Sequence, residues 1–302
     1  MSPSLSSPRI AIIGAGIIGL SCAWELAKRG AHVTLFDSGF YPGRGASWAA
    51  AGMLAPAYEA AAEPGVNPRL FDLCLKSARQ WIDMSGAIAA VTRRDVLHSI
   101  GPSLAVAQTA EDRIQLAGLA KALTARKIAF DVLSPDEAVQ AEPCLRVGNK
   151  GALRLPTDGQ VDNRLLVEAL IRALESQERV AFVTGTAPLA LVQGKIVLDG
   201  FDRVIFAAGW ETASVTVGEV PLGDIAPMLR KIEPVAGHML SFNRLPDGPA
   251  MTVRAGALYI VPKAGRLIVG ATMEPGETST RIDPAAINRL EAAAQSLCPM
   301  LK

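Results

Sequence analysis

Residues 9–37 read RIAIIGAGIIGLSCAWELAKRGAHVTLFD. Arg9–Ile13 is a short apolar run rich in branched side chains, which predicts a buried strand. Gly14-Ala15-Gly16-Ile17-Ile18-Gly19 follows as a turn of the form GxGxxG. Ile17, Leu20, Trp24 and Ala27 then recur at helical spacing, so a helix is expected over 17–29. Gly30 ends it, since a glycine just past a helix adopts the left-handed conformation without strain. His32–Phe36 predicts a second strand closing at Asp37. Strand, turn, helix and strand within these 29 residues make one βαβ unit. In that setting Gly14 makes the tight turn, Gly16 lets the backbone approach a diphosphate, and Gly19 lets the helix lie close on the strand. The helix N-terminus offers unpaired N–H groups and a positive dipole end to phosphate oxygens. Asp37, 23 residues after Gly14, is placed to accept from ribose hydroxyls. The competing reading is a glycine-rich turn in an ordinary α/β protein, and it leaves the position of Asp37 unexplained.

GxGxxG does not choose between NAD and FAD. A second stretch, Gly43-Arg44-Gly45-Ala46-Ser47-Trp48-Ala49-Ala50-Ala51-Gly52-Met53, bears on that choice. Its small side chains let a backbone pass close to a large flat ring and present N–H groups to the ring edge. Arg44 and Ser47 are candidates for the phosphate or the sugar-alcohol chain. On composition alone an alanine-rich loop or helix is the simpler reading.

The rest of the chain sets limits. Its 302 residues suggest two domains, and 50% apolar with 20% charged residues is the composition of a folded core. Thirty basic against twenty-nine acidic side chains leave no electrostatic case for nucleic acid. Mean hydropathy is positive at +0.26. The longest apolar stretch is nevertheless only the eleven residues Ile10–Leu20, too short to span a bilayer. Cys22, Cys74, Cys144 and Cys298 lie far apart without a CxxC, and His32, His98 and His238 are equally scattered. That pattern argues against a disulfide framework and against a metal site, and fits a reducing compartment such as the cytoplasm.

Further along, residues 1–8 read as a frayed polar start and Pro56–Pro68 as a loop. Leu70, Leu73, Cys74, Ala78, Trp81 and Ile82 mark a helix with Trp81 in the core. Thr109 with Asp112, and Ser134-Pro135 with Glu137, open capped helices. Asp158-Gly159 reads as a turn. Asn163 is a candidate cap for a helix with the face Leu165, Leu166, Ala169, Leu170, Ala173 and Leu174. Strands are expected over 180–183, 189–192 and 195–198, the last two joined by a Gln193-Gly194 hairpin. Arg203–Ala208 reads as a buried strand ending in Ala207-Ala208-Gly209. Short strands fill 235–272, with His238 on one of them, and a helix begins near Asp283-Pro284. This order predicts an α/β chain: a dinucleotide-binding domain with a second domain inserted and appended.

GAGIIG with Asp37, GRGASWAAAGMLAP (43–56) and YIVPKAGRLIVGATMEPG (259–276) together resemble the D-amino-acid oxidase superfamily, and most of all the glycine oxidases of the thiamine pathway. LPTDGQVDNRLL (155–166), VIFAAGW (204–210) and KIEPVAGHML (231–240) echo the same family, so the likeness spans nearly the whole chain. The resemblance implies a Rossmann-like FAD-binding domain over 1–88 and 150–228. It implies a discontinuous α+β substrate domain with an antiparallel sheet over 89–149 and 229–302. FAD would then be held by Gly14, Ala15, Gly16, Ile17, Ile18, Gly19, Asp37, Arg44, Ala46, Ser47, Ala49, Ala50, Ala51, Gly52, Met53, Val183, Ala207, Ala208 and Gly209. By the same likeness Tyr259 and Met273 line the substrate pocket. From the residues alone, each of these two is first a core side chain.

The implied reaction is oxidative deamination of glycine or another small amino acid or secondary amine. Hydride passes to flavin N5, and the products are imine or glyoxylate, ammonia and hydrogen peroxide. The flavin does the chemistry, so no catalytic side chain and no metal are expected. Oxygen or another acceptor takes the electrons, and a homo-oligomer stays open. Sarcosine oxidase or D-amino-acid dehydrogenase activity, a weakly active truncated homologue and an NAD(P)-linked dehydrogenase are the alternatives. Two departures stand out. Ala236 replaces an arginine in Pro234-Val235-Ala236-Gly237-His238. Relatives also continue past Lys302 through a GLRP-type strand and a GHxRNG-type turn, so the arginine that clamps the substrate carboxylate is expected beyond this chain.

Overall fold

The computed structural model describes residues 7–39, 41–62, 68–146 and 150–301. Residues 1–6 of the expected polar start, 63–67 of the expected loop, Phe40 and Lys302 lie outside them. The chain forms two compact units. The first is residues 1–50, 86–96 and 163–234, and the second is residues 51–85, 97–162 and 235–302.

The first unit is built on the opening βαβ. Strand β1 (Arg9–Ile13), helix α1 (Ile17–Lys28) and strand β2 (His32–Asp37) form as their periodicity demands. The sheet runs in the order 203–206, β1, β2, 180–184, with every pairing parallel. Ile12 and Leu35, opposite each other at the centre, are fully buried. The helix Asn163–Glu175 buries Leu166, Val167, Ala169, Leu170, Ala173 and Leu174, while Leu165 is only half-buried. Val167 therefore takes the place on the apolar face that the spacing offered to Leu165. Residues 190–192 and 195–197 form the expected hairpin. Gln193 and Gly194, both with positive φ (50° and 73°), make its turn. The strand Arg203–Phe206 is half-buried rather than buried, because it is an edge of its sheet.

The second unit carries a seven-stranded sheet in the order 239–243, 266–270, 258–263, 252–255, 103–106, 152–155, 131–133. All its pairings are antiparallel except that of 252–255 with 103–106. One core packs Leu104, Val253, Ile260, Leu267 and Val269 against Leu290, Leu297 and Cys298 of the 284–298 segment. A smaller sheet pairs 53–54 and 99–100 with 159–160.

The capping boxes form as written. Thr109 Oγ1 accepts from the Asp112 N–H at 3.1 Å, and the Asp112 carboxylate takes the Thr109 N–H at 2.8 Å. Ser134 and Glu137 repeat the arrangement. Thr109→Ala is expected to lower stability by about 1 kcal/mol, read from urea melts. An unchanged midpoint would show that this helix end is not limiting.

Several readings need correction. The turn lies at Pro156-Thr157, and Gly159 instead enters a short strand. Pro56–Ala62 is a helix rather than loop, since proline suits a first turn and alanine has the highest helix propensity. Leu70, Leu73 and Ile82 are more than half exposed on the helix Pro68–Thr92, and Trp81 is half-buried beside the His98 ring. His238 lies between strands 235–236 and 239–243, not on one.

Candidate functional site

In the first unit, the glycine turn, the Ser47 segment and the 207–209 segment converge. Gly14 has φ +103°, and a Cβ there would meet the Ala207 carbonyl oxygen at 2.5 Å. That close crossing is anchored by the Ala207 N–H donating to Ile13 O at 2.7 Å. A Cβ on Gly19 would strike the Gly14 carbonyl oxygen, so α1 sits tight on the turn. Gly16 is different: a Cβ there would touch only Ser47 Oγ, at 3.4 Å. The turn is thus crowded behind Gly14 and Gly19 and comparatively open at Gly16, which is the arrangement close backbone approach to a diphosphate requires.

The donor set fits an anion. Ile17 N–H, in the first turn of α1, donates to Ser47 Oγ at 2.9 Å. A neutral oxygen there shows the polarity that the helix end favours. Asp37 has a part the sequence did not reveal. Its Oδ2 accepts the Ala15 N–H at 2.6 Å and its Oδ1 the Gly39 N–H at 2.8 Å, so the carboxylate braces the glycine turn. Each oxygen keeps a second lone pair for a hydroxyl donor. Val183 stands opposite Phe36 in register, one step from Asp37, and is 40% exposed.

The segment after β2 forms one helical turn, α2 (Ala46–Ala49), and not a plain loop. Ala46, Ala49 and Ala50 are exposed. Arg44 lays its guanidinium over the Trp48 ring at 3.5 Å. Asn163, expected as a cap, is the first residue of its helix. Its amide donates to the Ser47 and Trp48 carbonyls at 2.9 and 3.0 Å. Val167 packs where a Cβ on Gly43 would stand. These two residues hold the Ser47 segment in place. Nothing local announces that role, because the partners are far apart in sequence.

Among the residues read for FAD, the first unit thus brings the 14–19 turn together with Asp37, Ser47, Val183, Ala207 and Ala208. Ala15 is buried, Ile17 half-buried and Ile18 66% exposed, while Gly209 begins a short 3-10 turn. Ala51, Gly52 and Met53 belong to the second unit.

In that unit Ala51 packs with Val261 and Ile268, and Met53, Met239 and Tyr259 border the same cluster. The Tyr259 ring lies over Gly270, its antiparallel neighbour, where a Cβ would strike the ring. Its hydroxyl donates to the Met239 sulfur at 3.1 Å. Burial pushes the phenol upward, partly offset by the Arg254 charge. Met273 is 72% exposed, which overturns its reading as a core side chain.

A buried polar group escaped the sequence reading. Arg254 is 5% exposed, donates to Glu59 Oε1 at 2.6 Å and lies over the Tyr58 ring at 4.1 Å. Asp158, 1% exposed, accepts from Ser103 Oγ at 2.5 Å. Burial pushes its carboxyl up to about 6, against the opposing effects of the Ser103 hydrogen bond and the Arg254 charge. His238 is satisfied structurally: Nε2 accepts the Asp283 N–H at 2.9 Å, and Nδ1 lies 3.2 Å from Thr272 Oγ1.

Comparison with known proteins agrees with this construction. The profile of the FAD dependent oxidoreductase family (DAO) matches residues 9–302. The chain belongs to that family. FAD is accordingly its cofactor. As a member it is 30% identical over 296 residues to a glycine oxidase of Bacillus licheniformis, covering 95% of this chain and 76% of that one. It is 31% identical over 303 residues to the bifunctional protein ThiO/ThiG of Synechocystis, covering 97% of this chain and 42% of that one. The crystal structure of glycine oxidase from Geobacillus kaustophilus superposes with a TM-score of 0.82 at 28% identity, over 98% of this chain and 80% of that one. Among the described residues no helix of this family member is long and apolar enough to cross a membrane.

Proposed function

We propose that this oxidoreductase deaminates glycine or another small amino acid or secondary amine, yielding imine or glyoxylate and ammonia, with oxygen or another acceptor taking the electrons. The observation that carries the reading is the first unit's cradle, open at Gly16 and lined by a helix N-terminus, in a chain resembling glycine oxidases along most of its length. Bound FAD supplies a two-electron acceptor for the amine. The chain's own task is to hold and orient. The 14–19 turn, with Ser47, would hold the diphosphate, Asp37 and Val183 the adenosine end, Ala207–Gly209 the passage between, and Arg44 and Ala46–Met53 the remainder. The first unit would then be the cofactor part. The second would be the substrate part, with Tyr259 and Met273 beside the substrate. We place the reaction in the cytoplasm and in thiamine biosynthesis, the latter on the likeness to ThiO/ThiG.

Purified protein tests this directly. A flavin absorbance spectrum and peroxide release on adding glycine, sarcosine or D-alanine are expected. Flavin reduced by none of these amines, with or without oxygen, would reject amine oxidation while leaving family membership intact.

A further inference from the structure

The second unit contains a polar cavity that neither the glycine turn nor the Tyr259 cluster accounts for. Its volume is about 80 Å³. The small sheet contributes Met53, Ser99 and Gln160 to its wall, and the seven-stranded sheet contributes Ser103, Thr252 and Arg254. Asp158 borders it, just ahead of the strand 159–160. Thr252 and Arg254 share one face of their strand because side chains alternate, and Ser103 stands beside Thr252 in register. Among the described residues, five buried side-chain nitrogen or oxygen atoms have no hydrogen-bond partner, and four of them belong to residues lining this one cavity. They are Nε and Nη2 of Arg254, Oδ1 of Asp158 and Oε1 of Gln160. Each such atom left unpaired costs about 1–3 kcal/mol, so four at one place mark a site built for a polar partner.

The chemistry of these atoms defines the partner. Nε and Nη2 form one edge of the guanidinium, two parallel donors that match a carboxylate, while Nη1 already donates to Glu59 at 2.6 Å. Oδ1 of Asp158 and Oε1 of Gln160 are acceptors and require N–H or O–H donors. A lone anion would meet the Asp158 carboxylate and a lone cation the Arg254 guanidinium. A molecule carrying both charges gives each group its complement. One water needs about 10–15 Å³ of such space, so the cavity takes several waters or one molecule of glycine's size, and no bulky side chain. We propose that Arg254, Asp158 and Gln160 form a binding site for a small zwitterion, a free α-amino acid with little or no side chain. Its carboxylate lies on Arg254 and its ammonium on Asp158 and Gln160. Neither Tyr259 nor Met273 lines this cavity. The site is therefore additional to the one proposed for the reacting amine and does not rest on that reading.

The test is calorimetric titration of the whole chain at pH 7.5, where Asp158, with its carboxyl at about 6, is ionised. The flavin is bound and reduced with dithionite beforehand, so no amine is consumed and a failure of amine oxidation leaves the readout intact. Glycine is expected to bind, and acetate and methylammonium at least about tenfold more weakly. Gln160→Leu removes one acceptor at a half-buried position, and Arg254→Met removes the donor edge. Each variant should lose one equivalent of bound glycine or hold it at least about tenfold more weakly, the effect of one hydrogen bond to a charged group. Gln160→Leu carries the test should Arg254→Met fail to fold. Absence of glycine binding in the parent would mean that the cavity takes water only. Acetate bound as tightly as glycine would make it a simple anion site. Unchanged glycine binding in the variants would put the amino acid elsewhere. Any of these results would overturn the proposal.

Discussion

Arg254→Met is expected to destabilise the protein by up to about 2 kcal/mol at pH 7.5, because the buried Asp158 carboxyl loses the nearby charge that lowers it and takes up a proton instead. The effect comes from Asp158 more than from Glu59. The Glu59 side chain is 60% exposed and returns to water, whereas Asp158 is 1% exposed and cannot. Nε and Nη2 of Arg254 and Oδ1 of Asp158 are already enclosed without a hydrogen-bond partner among the described residues, so the group is held by charge and packing. The defect should depend on pH, and its sign follows from Asp158. Its folded value of about 6 lies above the ordinary 3.8, because burial outweighs Ser103 and Arg254. An acid raised in this way contributes stability that is present below about 4 and lost as pH rises through 6, a swing on the order of 3 kcal/mol. Removing Arg254 raises Asp158 further and widens that window upward. The variant should therefore be close to the parent near pH 4 and weakest above pH 7. Asp158→Asn should recover much of the loss at pH 7.5, in a double-mutant cycle read from urea midpoints. Equal destabilisation at both pH values would refute this account of the group.

The second large effect is at the glycine turn. Gly14→Ala should purify without flavin and unfold about 2–4 kcal/mol more easily. A non-glycine residue at φ +103° is strained, and its Cβ falls 2.5 Å from the Ala207 carbonyl. Relief requires either β1 or the 207–209 segment to move, and both belong to the proposed cradle. Gly16→Ala makes the contrast, since its Cβ meets only the end of a serine side chain at 3.4 Å. It should leave the stability of the flavin-free protein within about 1 kcal/mol of the parent, yet still lose flavin. Flavin content by absorbance and melts of the stripped protein separate the two. Retention of flavin by both variants would move the cofactor away from this turn.

Much of the fold was legible. The opening βαβ, both capping boxes, the Gln193-Gly194 hairpin and the final helix behind Asp283 all rest on neighbours within a few residues. So does the glycine pattern, whose meaning depends only on backbone freedom and strand–helix order. The errors were of another kind. Leu165 and Val167 both fit the apolar stripe, and Val167 is chosen because Gly43 leaves room for it. Asn163 suits a helix start, but its amide is taken by carbonyls 116 and 115 positions earlier. Met273 has the composition of a core residue and is exposed.

The sequence by itself determined where the glycine turn of the opening βαβ unit lies, because that pattern is a property of consecutive residues, while FAD followed from the family likeness. Only the tertiary structure decided that Asp37 braces the turn, that Ala207 crosses Gly14, and that Arg254 pairs with Glu59 across 195 positions. Periodicity and propensity act over one or two turns of chain. The pairing of buried charges and the crossing of backbones depend on which distant segments share a core, and no local pattern encodes that.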